Sequence, residues 1–405
     1  LKKEKLRYNQ SMDQIDFLLT RGVDKIYPSR EELEKVLRSG KKLRLYQGFD
    51  PSGDRLHIGH MVGFRKHHQW QDLGHEVIFL IGDGTGQAGD PSGKNKTREK
   101  FFTQAELRAN AVNYIKQASK IVNFEGQNPV KVMYNGDWLN KLTLVDILNI
   151  AQHFTVQQLI ERDMFQERLK NNESINLREF LYPLLQGYDS VAMEVDLELG
   201  GSDQTFNMLA GRTLLKTMKN KDKFVMTTPL LSDSKGVKIG KSEGNVIGLT
   251  DAPDDLFGKL MSLSDDTIVP ALTLLTDLPQ DEIDLISKKI SSKENPMQFK
   301  KLMANMIVKQ LNDVDTANSA QKHFESTFQQ KQTPQDLVTV TVTGTNIVDV
   351  LVETKLASSK SEAKRLIEQG GVRIDQKVVS SSSYLLTPDD SIINVGARKF
   401  VRINF

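Results

Sequence analysis

LRLYQGFDPSGDRLHIGHM, residues 43–61, is the stretch that decides the fold. LRLYQGF (43–49) is an apolar run of strand length, and a turn built on Pro51 and Gly53 follows it. HIGHMVGFRKHHQWQDLG (57–74) then reads as a helix that Gly74 closes at its C′ position. VIFLIG (77–82) supplies the next strand, so the unit is strand–helix–strand and predicts an α/β layer with a parallel sheet. His57 and His60 fall on one face of the helix start, with Gly59 leaving the backbone between them bare. Taken alone, the pair fits a solvent-facing turn or part of a metal site. Five of the seven histidines lie between 57 and 75, which keeps a metal open, but the lack of H-E-x-x-H and of a clear third ligand among His67, His68 and His75 makes the solvent-facing turn the better reading of the pair alone.

Working outward, VDLELGG (195–201) leads into SDQTFNMLAGRTLLKTM as a second strand-to-helix step. MTTPLLSDSKGVKIGKSEGNVIGLT (226–250) loosens into a connector rich in glycine, serine and lysine, and 251–330 is mostly helical. After the polar stretch QQKQTPQDL (329–337), Ser359 and Glu362 fit a capping box opening the short helix KSEAKRLIEQ, which stops at Gly370-Gly371. VRIDQKVV (372–379) and INVGARKFVRI (393–403) read as hairpins. The expected organisation is a Rossmann-like catalytic domain over 1–232, a loop over 233–250, a helical domain over 251–333 and a small α+β module over 345–405.

Composition restricts the function classes. At 405 residues, two or three domains are expected. Apolar residues are 38% and charged residues 26%, a globular rather than a disordered balance. No run approaches the roughly 18 apolar residues of a membrane span, and no signal peptide is evident at the start of the sequence, which is Leu1 rather than Met. Cys is absent, excluding disulfides and thiolate-ligated metals and suiting a reducing compartment. With a net charge of +2, nucleic-acid contact must come from local arrangement.

Gly84, Gly86 and Gly89 satisfy G-x-G-x-x-G directly after a strand, as a dinucleotide fingerprint requires. Asp90-Pro91-Ser92-Gly93 then turns the chain where a helix should open, and the region 20 residues on (ELRANAVNYIKQ) is helical, with no acidic strand end to hold a ribose. A nicotinamide cofactor is not expected.

HIGH after a strand resembles the first signature of class I aminoacyl-tRNA synthetases, and KIGKS (238–242) resembles the second, usually written KMSKS. Each alone is weak; KIGKS by itself reads as a solvated lysine-rich loop. In this order and context they are specific. Attack at an ATP α-phosphorus builds negative charge on phosphate oxygens, which imidazole donors and helix N–H groups can meet. Lys238 and Lys241 would grip the departing pyrophosphate, and Gly59 would let adenine lie against backbone.

The resemblance narrows to tyrosyl-tRNA synthetases of bacterial or organellar type. It is carried by YQGFDPSGDRLHIGH (46–60), GDPSGK (89–94), YPLLQGYD (182–189) and GGSDQ (200–204). It implies that Tyr46 and Asp189 bracket the substrate hydroxyl, an assignment that suits a phenol, which donates and accepts. It also implies that Tyr182, Gln186 and Asp90 hold the tyrosine ammonium, that Gln204 contacts tyrosine, and that Asp203 and Gly201 hold the ATP ribose region. Asp50 and Ser52 match positions contacting tyrosine or nucleotide, Lys94 and Arg98 match a basic loop acting on pyrophosphate, and Asn135 and Trp138 match a pocket segment. On spacing alone, Tyr182, Gln186 and Asp189 form one polar helix face that reads as solvent-facing, Asp90 is a turn aspartate and Asp203 a helix N-cap. Two departures stand out: Gln47 replaces a small residue near the ribose, and KIGKS lacks the central Met-Ser.

The implied activity is tyrosine–tRNA ligation with ATP as a substrate carrying Mg²⁺ and no protein-bound metal. The implied partners are tRNA(Tyr), L-tyrosine and a second copy of the chain, in a cytoplasm or organelle matrix and without a membrane. Residues 346–405 resemble the small RNA-binding domain shared by some pseudouridine synthases and a ribosomal small-subunit protein, pointing to Lys360, Lys364, Arg365 and Arg373; nine basic against seven acidic residues leave arrangement rather than net charge to carry RNA binding. The competing classes are a nucleotidylyltransferase of the same fold acting without tRNA and an RNA-binding protein built on an inactive synthetase. Tyr46 with Asp189 and the C-terminal module oppose the first, and the intact signatures oppose the second.

Overall fold

The computed structural model describes residues 13–53, 55–92, 100–232, 246–329, 339–375, 377–388, 392–396 and 399–405. It divides into two compact units, one of 1–251 with 263–312 and one of 252–262 with 313–405.

The first unit is built on six strands: β1 (Lys25–Tyr27), β2 (Arg44–Phe49), β3 (Glu76–Ile81), β4 (Lys131–Tyr134), β5 (Leu197–Gly201) and β6 (Phe224–Thr228), in the order β1-β6-β5-β2-β3-β4. All neighbours are parallel except β1, which pairs antiparallel with β6 at the edge. Leu45, Tyr46, Val77, Ile78, Phe79, Leu80, Ile81, Leu197 and Leu199 are buried, as expected of parallel strands covered on both faces. From β2 the chain runs outward to β3 and β4, then returns to the other side of β2 as β5 and β6. The sheet therefore reverses direction between β2 and β5, and ligands of open parallel sheets bind outside the carboxyl ends at such a reversal. His57 and His60 follow the carboxyl end of β2, Asp90 that of β3, and Asp203 with Gln204 that of β5.

The expected helix is Ile58–Asp72, and Gly74 beyond it takes φ +76°, the left-handed C′ conformation. It is buried nearly all round, and several of its polar residues find partners: Gln71 donates to the carbonyls of Asn123 and Asn128 at 2.8 Å, and Arg65 pairs with Asp277 and the Thr276 carbonyl. His67 is different. It is fully buried near the rings of Phe49 and Phe79, and neither ring nitrogen has a hydrogen-bond partner among the described residues. Burial lowers its pKa from 6.5 to about 3. The unfolded chain thus takes up a proton near pH 6.5 that the folded chain refuses, so stability is full above that pH and falls as pH drops toward the folded value. At pH 5 His67 alone is expected to cost about 2 kcal/mol. His67→Leu should flatten the fall of the denaturation midpoint between pH 7.5 and 5; an equally steep fall in both proteins would exclude this origin.

Residues 252–329 are mostly helical, as expected, and contribute to both compact units: 263–312 to the first, and 252–262 with the stretch from 313 onward to the second. Helix Ile268–Leu275 belongs to the first unit and packs on Ile58–Asp72. The Arg21 guanidinium closes its C-terminus, donating to the carbonyls of Leu272, Thr273 and Thr276 at 3.0–3.1 Å. Helix Pro253–Met261 belongs to the second unit and packs on Val314–Phe324, with the rings of Phe257 and Phe324 5.5 Å apart.

The second unit also holds a five-stranded sheet: β7 (Thr339–Thr341), β8 (Val372–Ile374), β9 (Lys377–Val378), β10 (Ile392–Val395) and β11 (Lys399–Asn404), in the order β7-β11-β10-β8-β9. Both expected hairpins form, and β8 joins β10; the parallel pairing of β7 with β11 has no local signal in the sequence. Helices Ile347–Glu353 and Lys360–Glu368 cover this sheet through a core including Ile347, Leu351, Ile367 and Ile393. Ser359 accepts the Glu362 N–H at 3.2 Å, but the Glu362 carboxylate reaches the Ser358 N–H at 2.7 Å, so the reciprocal cap closes one residue earlier than expected. Lys360, Lys364, Arg365 and Arg373 are all exposed, with Lys360 2.7 Å from Asp349.

Candidate active site

At the carboxyl end of β2, the HIGH residues form an N-cap made of imidazoles. His57 is the N-cap residue, and its Nδ1 accepts the Gly59 N–H at 3.2 Å; the Nδ1 of His60 accepts the His57 N–H at 3.2 Å. An accepting Nδ1 puts the proton of the neutral ring on Nε2, so both rings present an N–H donor beside a helix N-terminus. The segment after the second signature lies against the first. Ile58 N–H donates to the Ile247 carbonyl and Leu249 N–H to the Leu56 carbonyl, both at 3.0 Å, and Arg55 pairs with the buried Asp251. Lys238 and Lys241 lie outside the described residues, as do Lys94 and Arg98.

Two hydrogen-bond chains meet on helix Leu177–Met193. In the first, the Asp189 carboxylate, 1% exposed, accepts from Trp138 Nε1 at 2.8 Å and Asn135 Nδ2 at 3.0 Å. Asn135 Nδ2 also reaches Thr85 Oγ1, which donates to Asp50 Oδ1 at 2.8 Å, while the Tyr182 hydroxyl donates to Asp50 Oδ2 at 3.0 Å. Gly82 is what permits this: a Cβ there would lie 1.9 Å from Asp50 Oδ1. In the second chain, Asp90 accepts from Gln204 Nε2 at 2.9 Å; Asn207 Nδ2 donates to the amide oxygens of Gln204 and Gln186; and Gln186 Nε2 donates to Glu198 at 3.1 Å. Glu198 pairs with Lys223, which donates to Ser190 Oγ at 2.6 Å, and Ser190 bonds the Tyr46 hydroxyl at 3.0 Å.

The face of Tyr182, Gln186 and Asp189, solvent-facing on spacing alone, is therefore turned inward, with Tyr182 and Asp189 buried. Burial pushes the Asp189 carboxyl well above the usual carboxylate range, opposed by its bonds from Asn135 and Trp138. Burial likewise raises the phenols of Tyr46 and Tyr182, with Glu198 adding at the first and Asp50 at the second. Asp203 is not the N-cap of the helix that follows. It lies in the 3₁₀ turn Ser202–Gln204 after β5, and Gln204 is the N-cap residue of helix Thr205–Lys219, its side chain bonded to Asp90 and Asn207 rather than to the helix N–H groups. A Cβ on Gly201 would meet the Asp203 carboxylate at 2.7 Å, so this glycine lets the carboxylate fold back on the strand end. Ser52 lies in the exposed turn after β2, its N–H donating to the Asp50 carbonyl at 2.8 Å.

The glycine-rich loop after β3 does not offer its amides to a pyrophosphate. Gly84 and Thr85 N–H both donate to Asn135 Oδ1, at 2.8 and 3.3 Å, and only the four-residue helix Thr85–Ala88 follows. The sequence left the roles of Asn135 and Trp138 open and did not single out Ser190, Glu198 or Lys223. The available signal was a charge inside or beside an apolar parallel strand, since such a charge must be paired to be buried.

Residues 38–329 match the class I tRNA synthetases (W and Y), and residues 346–392 match the S4 domain. The chain is 42% identical over 391 residues to the tyrosine–tRNA ligase of Thermotoga maritima, covering 96% of both chains. It is 39% identical over 397 residues to that of Dehalococcoides mccartyi, covering 97% of this chain and 99% of that one. Its fold is similar to that of a C-terminally truncated mitochondrial tyrosyl-tRNA synthetase of Aspergillus nidulans, with TM-score 0.64 and 23% identity over 78% of this chain and 94% of that one. It is also similar to that of a tyrosyl-tRNA synthetase of Archaeoglobus fulgidus complexed with L-tyrosine, with TM-score 0.59 and 19% identity over 76% of this chain and 98% of that one. Identity sustained along nearly the whole length, with the described signature residues gathered at one edge of a parallel sheet, places the chain in the tyrosine–tRNA ligase family of class I tRNA synthetases.

Proposed function

We infer that the chain activates L-tyrosine with ATP and transfers the tyrosyl group to tRNA(Tyr). The observation that carries the reading is the buried Asp189 carboxylate, held by Trp138 and Asn135 on the helix that also carries Tyr182 and Gln186. A carboxylate so fixed, with Tyr46 on the neighbouring β2, suits a ligand hydroxyl that donates to one and accepts from the other. Asp90, Tyr182 and Gln186 hold the ammonium end, and Gln204 also contacts the tyrosine.

The tyrosine carboxylate is already ionised, so it attacks the α-phosphorus of ATP without a general base. ATP enters carrying Mg²⁺ as part of the substrate. His57 and His60 Nε2–H and the helix N-terminus meet charge on the phosphate oxygens, Gly59 receives the adenine, and Asp50, Ser52, Gly201 and Asp203 hold the nucleoside side. Lys94, Arg98, Lys238 and Lys241 act on the leaving pyrophosphate. Catalysis is positioning and charge stabilisation.

The C-terminal module binds tRNA through Lys360, Lys364, Arg365 and Arg373, four exposed cations that suit phosphate contacts. The chain works as a homodimer; Leu144, Val145 and Leu148, 58–71% exposed on one face of a helix, support an apolar contact with a second copy. It acts in the cytoplasm or an organelle matrix; among the described residues no helix is long and apolar enough to cross a membrane.

Exchange of labelled pyrophosphate into ATP, measured with each amino acid and no tRNA, tests the reading. Exchange supported by tyrosine alone is expected. Exchange with another amino acid would overturn the pocket, and none with folded protein would overturn the ligase.

A further inference from the structure

Lys223 and Glu198 form an ion pair that the reaction just described leaves unused. Both side chains are essentially inaccessible, 0% and 2% exposed. Such a pair carries a desolvation penalty and persists only where further hydrogen bonds satisfy it. They do here: Lys223 Nζ also donates to Ser190 Oγ at 2.6 Å, and Glu198 also accepts from Gln186 at 3.1 Å. The space is reserved for them by Gly211, where a Cβ would sit 2.7 Å from Lys223 Nζ and 2.8 Å from Ser190 Oγ. One end of the pair thus leads to Tyr46 and the other to Gln186.

The direction of the bonds follows from the donor inventory. An ammonium only donates, so Ser190 Oγ accepts from Lys223. The Ser190 hydrogen then has two acceptors in reach, the Tyr46 oxygen at 3.0 Å and Glu198 Oε2 at 3.4 Å, and the bond to Tyr46 is the shorter by 0.4 Å. The nearer Tyr46 oxygen receives it, and the Tyr46 hydrogen is left to donate elsewhere. We propose that Lys223 is a positioning residue for tyrosine specificity: through Ser190 it sets the sense of a hydrogen-bond chain in which Tyr46 donates to the substrate hydroxyl and Asp189 accepts from it. The proposal rests on the tyrosine reading above and adds the origin of its polarity. Successive bonds of one sense strengthen one another in a dry interior. A substrate without the hydroxyl leaves both ends of the chain unmet.

The test uses full-length Lys223→Met and Ser190→Ala, the second removing only the link and leaving the ion pair. Tyrosine-dependent and phenylalanine-dependent pyrophosphate exchange are measured with the melting midpoint. The expected result is a rise of about tenfold in KM for tyrosine, KM for ATP within about twofold, and a tyrosine-over-phenylalanine preference reduced about tenfold or more. KM for tyrosine and ATP rising together, or a preference unchanged in folded Ser190→Ala, would overturn the proposal and leave the pair structural. If Lys223→Met does not fold, Ser190→Ala decides alone. Unmutated protein that exchanges with an amino acid other than tyrosine overturns the underlying reading as well, and the two failures are told apart because that assay needs no variant.

Discussion

Asp189→Ala is expected to lower kcat/KM for tyrosine by about 10²–10⁴-fold, because each buried polar group left without its partner costs about 1–3 kcal/mol. The variant removes the acceptor for the substrate hydroxyl and also for the Trp138 and Asn135 donors. Phenylalanine brings no hydroxyl, so its kcat/KM should fall far less and the preference between the two should collapse. Pyrophosphate exchange with both amino acids reads the ratio. A variant that keeps the wild-type preference would show that the hydroxyl is recognised elsewhere. Asn at this position is not a conservative control, since one of its two polar atoms is a donor facing Trp138 or Asn135, which are donors themselves.

Glu179→Ala is the second large effect, and it acts on the fold. Arg168 and Glu179 are both buried and paired in fork geometry, with bonds of 3.0 and 2.9 Å; Arg168 also donates to the Ser174 carbonyl at 2.7 Å, and Glu179 accepts the Asn176 N–H at 2.9 Å. Removing one member strands the other charge in a dry interior, at about 3–5 kcal/mol. The pair fixes the start of helix Leu177–Met193, so the loss falls on the element carrying Tyr182, Gln186 and Asp189. Both tryptophans, Trp70 and Trp138, belong to the first unit, so denaturation followed by tryptophan fluorescence reports this change directly. The double variant Arg168→Met with Glu179→Leu should recover most of the loss, because an apolar pair leaves no stranded charge. A single variant as stable as the wild type would mean that water reaches the site.

Local pattern carried much of this protein. The strand over 44–49, the helix capped at His57 and closed before Gly74, and the Ser359 N-cap of helix Lys360–Glu368 depend on bonds between residues a few positions apart, so their signals sit side by side in the chain. The motif segments were also legible, because class I signatures are contiguous; grouping them at one sheet edge needed only the parallel-sheet rule.

What tertiary structure alone decided has no such contiguity. Tyr182, Gln186 and Asp189 make a helical polar face whether it meets water or an interior, and only its packing beside Asn135, Trp138, Asp50 and Glu198 turned it inward. The closing of the end of helix Ile268–Leu275 by Arg21, some 250 residues away, has no local signal either. Lys223 and Glu198 are ordinary charges in one dimension; their meaning comes from β5 and β6 lying side by side with Ser190 above them. A sequence records which groups need partners when buried, and the order of the strands decides which partners they find.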